Sequence, residues 1–302
     1  MNEPDVILPP ESVTAESVAK RLYRASHDGL QSGRIARKKL VWLELNGCSG
    51  NIISLLNGFQ PDFEYALSKM VDLIYSNSLM VADGPQAMER LFKLAEGNEE
   101  FILAIEGAVA LKNDGMYQLV GKKDGQPVTG LQAAKMLGEK ASEIIAVGAC
   151  AVDGGPSAAS PNLSQSVGLH SVLNRKIIKL PGCPVNPDWF LGTLAHLLLY
   201  GKPELDELSR PKLFYSTLIH DRCPRRPFFD RGIFSENLGE PYCLFKLGCR
   251  GPVTRVDCPT RQWNGHVSWP IAASTCIGCA QPGFPDRMAP FISYNSTREP
   301  EK

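Results

Sequence analysis

The stretch KLVWLELNGCSGN, residues 39–51, runs from an unbroken apolar segment straight into a turn that carries a cysteine. A run of this length, rich in Leu, Val and Trp and closed by glycine, reads as a strand buried on both faces. Three later runs have the same character: FILAIEGAVA (101–110), EIIAVGAC (143–150) and KIIKLPGC (176–183). Between them, DFEYALSKMVDLIY, PQAMERLFKLAEG and TGLQAAKMLGEKASE carry the amphipathic repeat of helices. In NPDWFLGTLAHLLLYG, Asn186 is placed to cap a helix, Pro187 to occupy its first position and Gly201 to end it. Strands alternating with helices over residues 39–204 predict an α/β domain with a parallel sheet.

Cys48, Cys150 and Cys183 each follow one of these apolar runs at nearly the same offset. Parallel strands point the same way, so residues just past their ends meet along one carboxyl edge, where open α/β sheets bind their ligands. A single such cysteine is more often a buried core thiol. Three in one context point to a shared ligand, and the glycines of NGCSG, VGAC and LPGC let backbone N–H groups approach it. Asn51 stands three residues after Cys48, where a C-x-x-C motif has its second sulfur.

The chain has 302 residues, 43% hydrophobic and 21% charged, with 32 basic and 32 acidic side chains. That is enough apolar material for two cores, and a net charge of zero gives no field to attract nucleic acid or an anionic membrane. There is no signal-peptide core and no run of about eighteen apolar residues to span a bilayer, so a cytoplasmic protein is expected. Nine cysteines in a reducing compartment, and an odd number, argue against disulfides and for metal.

Residues 1–38 read as an N-terminal extension in which TAESVAKRLYRA places Val18 and Leu22 on one helical face: a peripheral helix, or a docking arm for a partner. Residues 205–302 form a second, smaller domain of irregular character. Its stretch 211–290 is rich in Pro, Gly, Arg and aromatic residues and holds six of the nine cysteines. Too few apolar residues recur there to build an ordinary core, so the segment needs crosslinking. The candidates are H-D-R-C (His220 to Cys223), Cys243 and Cys249, Cys258, and C-I-G-C (Cys276 to Cys279). Zinc accepts such S and N donors, and a zinc-stapled, non-redox binding module is the rival from residues alone. A thiol–disulfide centre at Cys276 lacks the βαβ context.

Taken together, these motifs resemble the small subunit of NiFe hydrogenases over roughly residues 39–290. The resemblance implies a flavodoxin-like domain with a proximal iron–sulfur cluster, followed by an irregular domain with medial and distal clusters. The family's proximal ligands fall on Cys48, the position of Asn51, Cys150 (in VGACAVDGG) and Cys183 (in PGCPVNPDW). Its distal ligands fall on His220, Cys223, Cys243 and Cys249, for a 4Fe-4S cluster, or 3Fe-4S without the histidine. Its medial ligands fall on Cys258, Cys276 and Cys279, with Pro270 near the place of a fourth cysteine, which implies 3Fe-4S. All nine cysteines are then used.

The family's usual C-T-G-C is here C-S-G-N, a variant similar to that of cytoplasmic uptake members such as the cyanobacterial ones. Asn51 either gives an amide oxygen to a 4Fe-4S cluster or leaves a 3Fe-4S one. The family's glutamate two residues further on is Ile53, and Glu106, in IEGAV, resembles its E-G-A segment, as a site residue or as a hydrogen-bond acceptor for a nearby loop. The resemblance implies a subunit that conducts electrons from hydrogen oxidation, with the nickel–iron centre in a large partner subunit. It further implies an assembly of such heterodimers and an acceptor that is quinone-linked or a soluble carrier. Arg222, Arg225 and Arg226 form either a docking patch for that carrier or a solvated surface. A hydrogen-sensing regulatory hydrogenase is the alternative within the family. The related subunit of respiratory complex I fits less well, since its adjacent cysteine pair is missing.

Overall fold

The computed structural model describes residues 16–59, 61–261 and 274–285. The chain forms two compact units, one of Ser17–Leu213 and a second whose main segment begins at Phe214. In the first, five parallel strands form one sheet: β1 (Lys38–Glu44), β2 (Val71–Ser76), β3 (Phe101–Glu106), β4 (Glu143–Val147) and β5 (Ile178–Leu180). Their order, β2-β1-β3-β4-β5, is the flavodoxin-like one, with its switch point between β1 and β3.

Every residue of β3 is buried, as a central strand covered on both faces requires. On one face Val41 and Leu43 join Leu91 of helix α3 (Gly84–Glu96) and Ala133 and Leu137 of α4 (Gly130–Lys140). On the other, Trp42 meets Phe190 of α6 (Pro187–Leu199) edge to face, ring centroids 4.9 Å apart. Thr129 and Gln132 close a capping box at the start of α4, and Asn186 caps α6 by accepting the Asp188 N–H at 3.0 Å. The predicted N-terminal helix is α1 (Glu16–Gln31), with Leu22 buried; residues 1–15 of the extension lie outside the described residues.

Three predicted elements need correction. The expected helix DFEYALSKMVDLIY is a short helical turn capped by Asp62 and a π-helical turn (Ala66–Met70), after which Val71–Ser76 is strand β2. The β-branched and aromatic residues of VDLIY decide this once the segment pairs with β1. FILAIEGAVA breaks at Gly107, whose φ is +92° and whose Cβ, if present, would lie 2.7 Å from the Leu45 carbonyl carbon. Val109–Ala110 then pairs with Ser166–Val167 instead of prolonging the sheet. EIIAVGAC ends as a strand at Val147, and Gly148 opens helix α5 (Gly148–Asp153), so Cys150 sits in the first turn of a helix.

The second unit has only short helical turns and isolated bridges among its described residues, such as Leu218 to Arg255 and Phe234 to Cys243. Phe214, Tyr215, Ile219, Leu244 and Val256 are buried, and so are Cys243, Cys258 and Cys276. Thiols therefore make up part of this core. Arg261, 3% exposed, pairs with Asp257 at 2.6 Å, with its guanidinium 5.2 Å from the centre of the Phe214 ring.

Candidate metal centres

At the carboxyl edge of the sheet, the loops bearing Cys48, Cys150 and Cys183 are tied directly to one another. The Ala149 N–H donates to Gly182 O at 2.8 Å, which joins the β4–α5 turn to the Pro181–Gly182–Cys183 loop. A Cβ on Gly50 would stand 2.9 Å from Cys48 Sγ and 3.9 Å from the Pro184 side chain, so the first and third loops share one wall. Ser157 Oγ reaches Asn46 O at 2.8 Å and Cys150 Sγ at 3.4 Å, which joins the first loop to the second. Cys48 and Cys183 are exposed and Cys150 is half-buried.

Asn51 lies at the centre of this edge, 8% exposed, on the short helix α2 (Gly50–Leu55). Its Nδ2 donates to Glu106 Oε1 at 3.0 Å and Val147 O at 3.4 Å, and its Oδ1 accepts the Val185 N–H at 2.9 Å. One amide thus clasps the ends of β3 and β4 and the loop after Cys183. Gly148 (φ +88°) makes room for it, since a Cβ there would come within 2.4 Å of Asn51 Nδ2. Glu106, 2% exposed, accepts the backbone N–H groups of Asn51 (2.8 Å) and Ile52 (3.2 Å) as well. Burial lifts the Glu106 pKa, against the pull of those Asn51 donors. The side chain is a hydrogen-bond acceptor that anchors the cysteine loop.

In the second unit, His220, Cys223, Cys243 and Cys249 line a single cavity, together with Leu244 and Phe245. The His220 ring stands edge-on to Phe229, 4.4 Å between centroids, and burial followed by the Arg226 charge lowers its pKa. A lowered pKa favours the neutral imidazole, the form with a lone pair for metal. Burial pushes the Cys223 and Cys243 thiols up, so the thiolates that ligation needs require a cationic centre to offset them. Arg225 donates to the carbonyls of Glu240 and Tyr242, both at 2.6 Å, and Arg226 pairs with Asp230 at 2.8 Å and Asp221 at 3.4 Å. Of the basic run, Arg222 is exposed while Arg225 and Arg226 are half-buried.

Cys276 and Cys258 are each 3% exposed, and Cys279 is half-buried. Burial pushes the Cys276 thiol up to about 12, helped by Cys279. Its sulfur accepts the Gly278 N–H at 3.4 Å and lies 3.6 Å from Thr254 Oγ1, while its own N–H donates to Cys249 Sγ at 3.4 Å. Cys258 follows Asp257, the partner of Arg261. Pro270 lies outside the described residues. Among the described residues no three His, Cys, Asp or Glu side chains close on one metal ion. The donors of the His220 site instead ring a space. An all-sulfur or sulfur-plus-imidazole set, in glycine-bearing loops that present N–H groups to sulfur, suits iron–sulfur clusters.

Sequence reasoning missed the contact of Ser157 with Cys150 and the anchoring of Asn51 on Glu106. Partners 7 and 55 residues apart meet only once the sheet edge is built.

Residues 215–292 match the family described as the C-terminal part of the NiFe/NiFeSe hydrogenase small subunit, and residues 48–197 match NADH ubiquinone oxidoreductase, 20 Kd subunit. The chain is 38% identical over 261 residues to the periplasmic [NiFe] hydrogenase small subunit of Solidesulfovibrio fructosivorans, covering 84% of this chain and 81% of that one. It is 38% identical over 285 residues to the uptake hydrogenase small subunit of Bradyrhizobium diazoefficiens, covering 91% and 77%. Among solved structures, a [NiFeSe] hydrogenase chain of Desulfovibrio vulgaris Hildenborough superposes with a TM-score of 0.81 at 32% identity, over 86% of this chain and 98% of that one. An actinobacterial-type NiFe-hydrogenase chain of Ralstonia eutropha H16 gives 0.80 at 31%, over 87% and 84%. Interlocked cysteine loops on a flavodoxin-like edge, a four-donor cavity in the second unit and this extent of likeness place the chain in the small-subunit family of NiFe hydrogenases.

Proposed function

We propose that the chain conducts electrons from hydrogen oxidation, which takes place in a large partner subunit, through three iron–sulfur clusters to an external acceptor. The observation that carries this reading is the joining of the Cys48, Cys150 and Cys183 loops into one edge by direct hydrogen bonds and close packing. When bound, iron–sulfur clusters supply one-electron carriers with potentials set by ligands, hydrogen bonds and burial. Cys48, Cys150 and Cys183 hold the proximal one. His220, Cys223, Cys243 and Cys249 hold the distal one, and Cys258, Cys276 and Cys279 a medial 3Fe-4S cluster.

The chain's own groups set the conditions. Asn51 spends one lone pair of its oxygen on the Val185 N–H, and the second is what a fourth proximal iron would take. With it the proximal cluster is 4Fe-4S, and without it 3Fe-4S; either way the site is less negative than with a fourth thiolate. Neutral His220 does the same for the distal site, where the rings of Phe229, Phe234 and Phe245 pack together and keep the surroundings apolar. Around α2, beside Cys48, Ile53, Leu56 and Phe59 are between 55% and 65% exposed, an apolar group suited to the large subunit.

We further read the chain as an uptake-type, cytoplasmic member assembling as heterodimers in higher-order complexes. All nine cysteines are free and so available as ligands. No helix among the described residues is long and apolar enough to cross a membrane. The test is anaerobic purification with the co-expressed large subunit, cell fractionation and hydrogen-dependent dye reduction. Dye reduction that depends on both subunits, from the soluble cytoplasmic fraction, is expected. Very slow turnover together with kinase binding would mark the sensory alternative.

A further inference from the structure

We infer that Ser157 is a redox-tuning residue: its hydroxyl donates a hydrogen bond to the sulfur of Cys150 when that sulfur is a thiolate ligand, and thereby raises the potential of the proximal centre. The inference rests on the reading of Cys150 as a cluster ligand.

Ser157 lies on a short 3-10 turn (Gly155–Ala158) that follows α5. The turn is pressed against the Cys150 backbone so closely that a Cβ on Gly155 would stand 2.7 Å from Cys150 N. This packing sets Ser157 Oγ 3.4 Å from Cys150 Sγ and 2.8 Å from Asn46 O. Both are acceptors, and a serine hydroxyl has one proton to give. Toward a neutral thiol, a weak acceptor, the proton goes to the carbonyl.

A thiolate changes the balance. Hydrogen bonds to an ionised acceptor are roughly twice as strong as those between neutral groups, so the rotor turns toward sulfur. The carbonyl it leaves is not stranded, because Asn46 O also accepts the Ala108 N–H at 2.7 Å. The hydroxyl therefore swings at little loss. Negative charge on the sulfur grows when the centre is reduced, so the Ser157 bond strengthens in that state and favours it.

The experiment is redox-titrated EPR on the anaerobically purified complex with the large subunit, comparing wild type, Ser157→Ala and Ser157→Thr. Ser157→Ala is expected to lower the reduced-to-oxidised ratio of the proximal centre at fixed potential by up to tenfold, a fall of about 59 mV. The other centres stay in place, and Ser157→Thr, which keeps the hydroxyl, stays near wild type. An unmoved proximal potential in Ser157→Ala with iron content intact overturns the inference. So does an equal fall at every centre. Should Ser157→Ala not assemble the proximal centre, ENDOR of wild type in D2O answers instead. An exchangeable hydron coupled to that centre in wild type and Ser157→Thr, beyond those that backbone N–H groups supply in Ser157→Gly, supports the inference, and its absence from wild type sinks it. A wild type without iron, sulfide or a proximal signal would instead show that the underlying reading had failed, and the inference with it.

Discussion

The two units of this chain stand in different relations to their cysteines. In the first, an aliphatic core centred on fully buried β3 exists apart from the thiols, which sit in loops at the sheet edge with Cys48 and Cys183 exposed. In the second, Cys243, Cys258 and Cys276 are themselves among the buried residues, and no strand longer than an isolated bridge supports its described part. Metal at a sheet edge is an addition to a fold. Metal at buried thiols is a part of folding, because ligand binding free energy is then folding free energy.

The two units should therefore respond differently to loss of metal. Removing iron by anaerobic chelation should leave amides of β1, β3 and β4 protected from hydrogen exchange while residues 214–261 exchange as an unfolded chain does. Equal protection in both units would erase the distinction. Within the first unit, the edge loop has its own anchor, and Glu106→Ala tests it. It strips acceptors from two backbone N–H groups and the Asn51 amide. A loss of about 2–3 kcal/mol in denaturant unfolding is expected, less than three full penalties because a buried carboxyl is removed as well.

Single substitutions at the sheet edge and on the surface have smaller effects. Asn51→Cys adds a thiolate at the proximal position, so the proximal potential should fall by on the order of 100 mV in redox-titrated EPR. An unchanged or raised potential would contradict the role given to Asn51. Gly148→Ala places a methyl group against the Asn51 amide at a φ of +88°, and should destabilise the first unit by at least about 1 kcal/mol in thermal unfolding. Arg222→Ala, at an exposed position without a packing role, should stay within about 0.5 kcal/mol of wild type by the same measurement.

Much of the first unit was legible because its signals are local. The apolar runs at 39–45, 101–110, 143–150 and 176–183 hold β1, β3, β4 and β5, and the cap at Asn186 lies beside the helix it starts. β2 was not legible, since FEYALSKMVDLIY sustains a helical period and only pairing with β1 draws Val71–Ser76 into a strand. The hairpin of Leu119–Lys123 and Gln126–Thr129 carries an Asp124-Gly125 signal at its turn and went unread. At the candidate sites the ligand types were plain in the sequence. The grouping of His220 with Cys223, Cys243 and Cys249 came from family resemblance, and the structure brings those side chains to one cavity. The Asn51–Glu106 clasp and the Ser157–Cys150 contact depend on residues brought together by the sheet, so no spacing rule reports them.

The proposed reading is that these thiols, with His220, hold inorganic iron and sulfide as separate one-electron centres. It is tested most directly by metal and sulfide analysis, joined to EPR and Mössbauer spectra, of the anaerobically purified complex with its large subunit. Iron and acid-labile sulfide in nearly equal amounts, and three centres that titrate independently, are expected. Stoichiometric zinc with neither sulfide nor an iron signal, in a preparation that retains the large subunit, would contradict it.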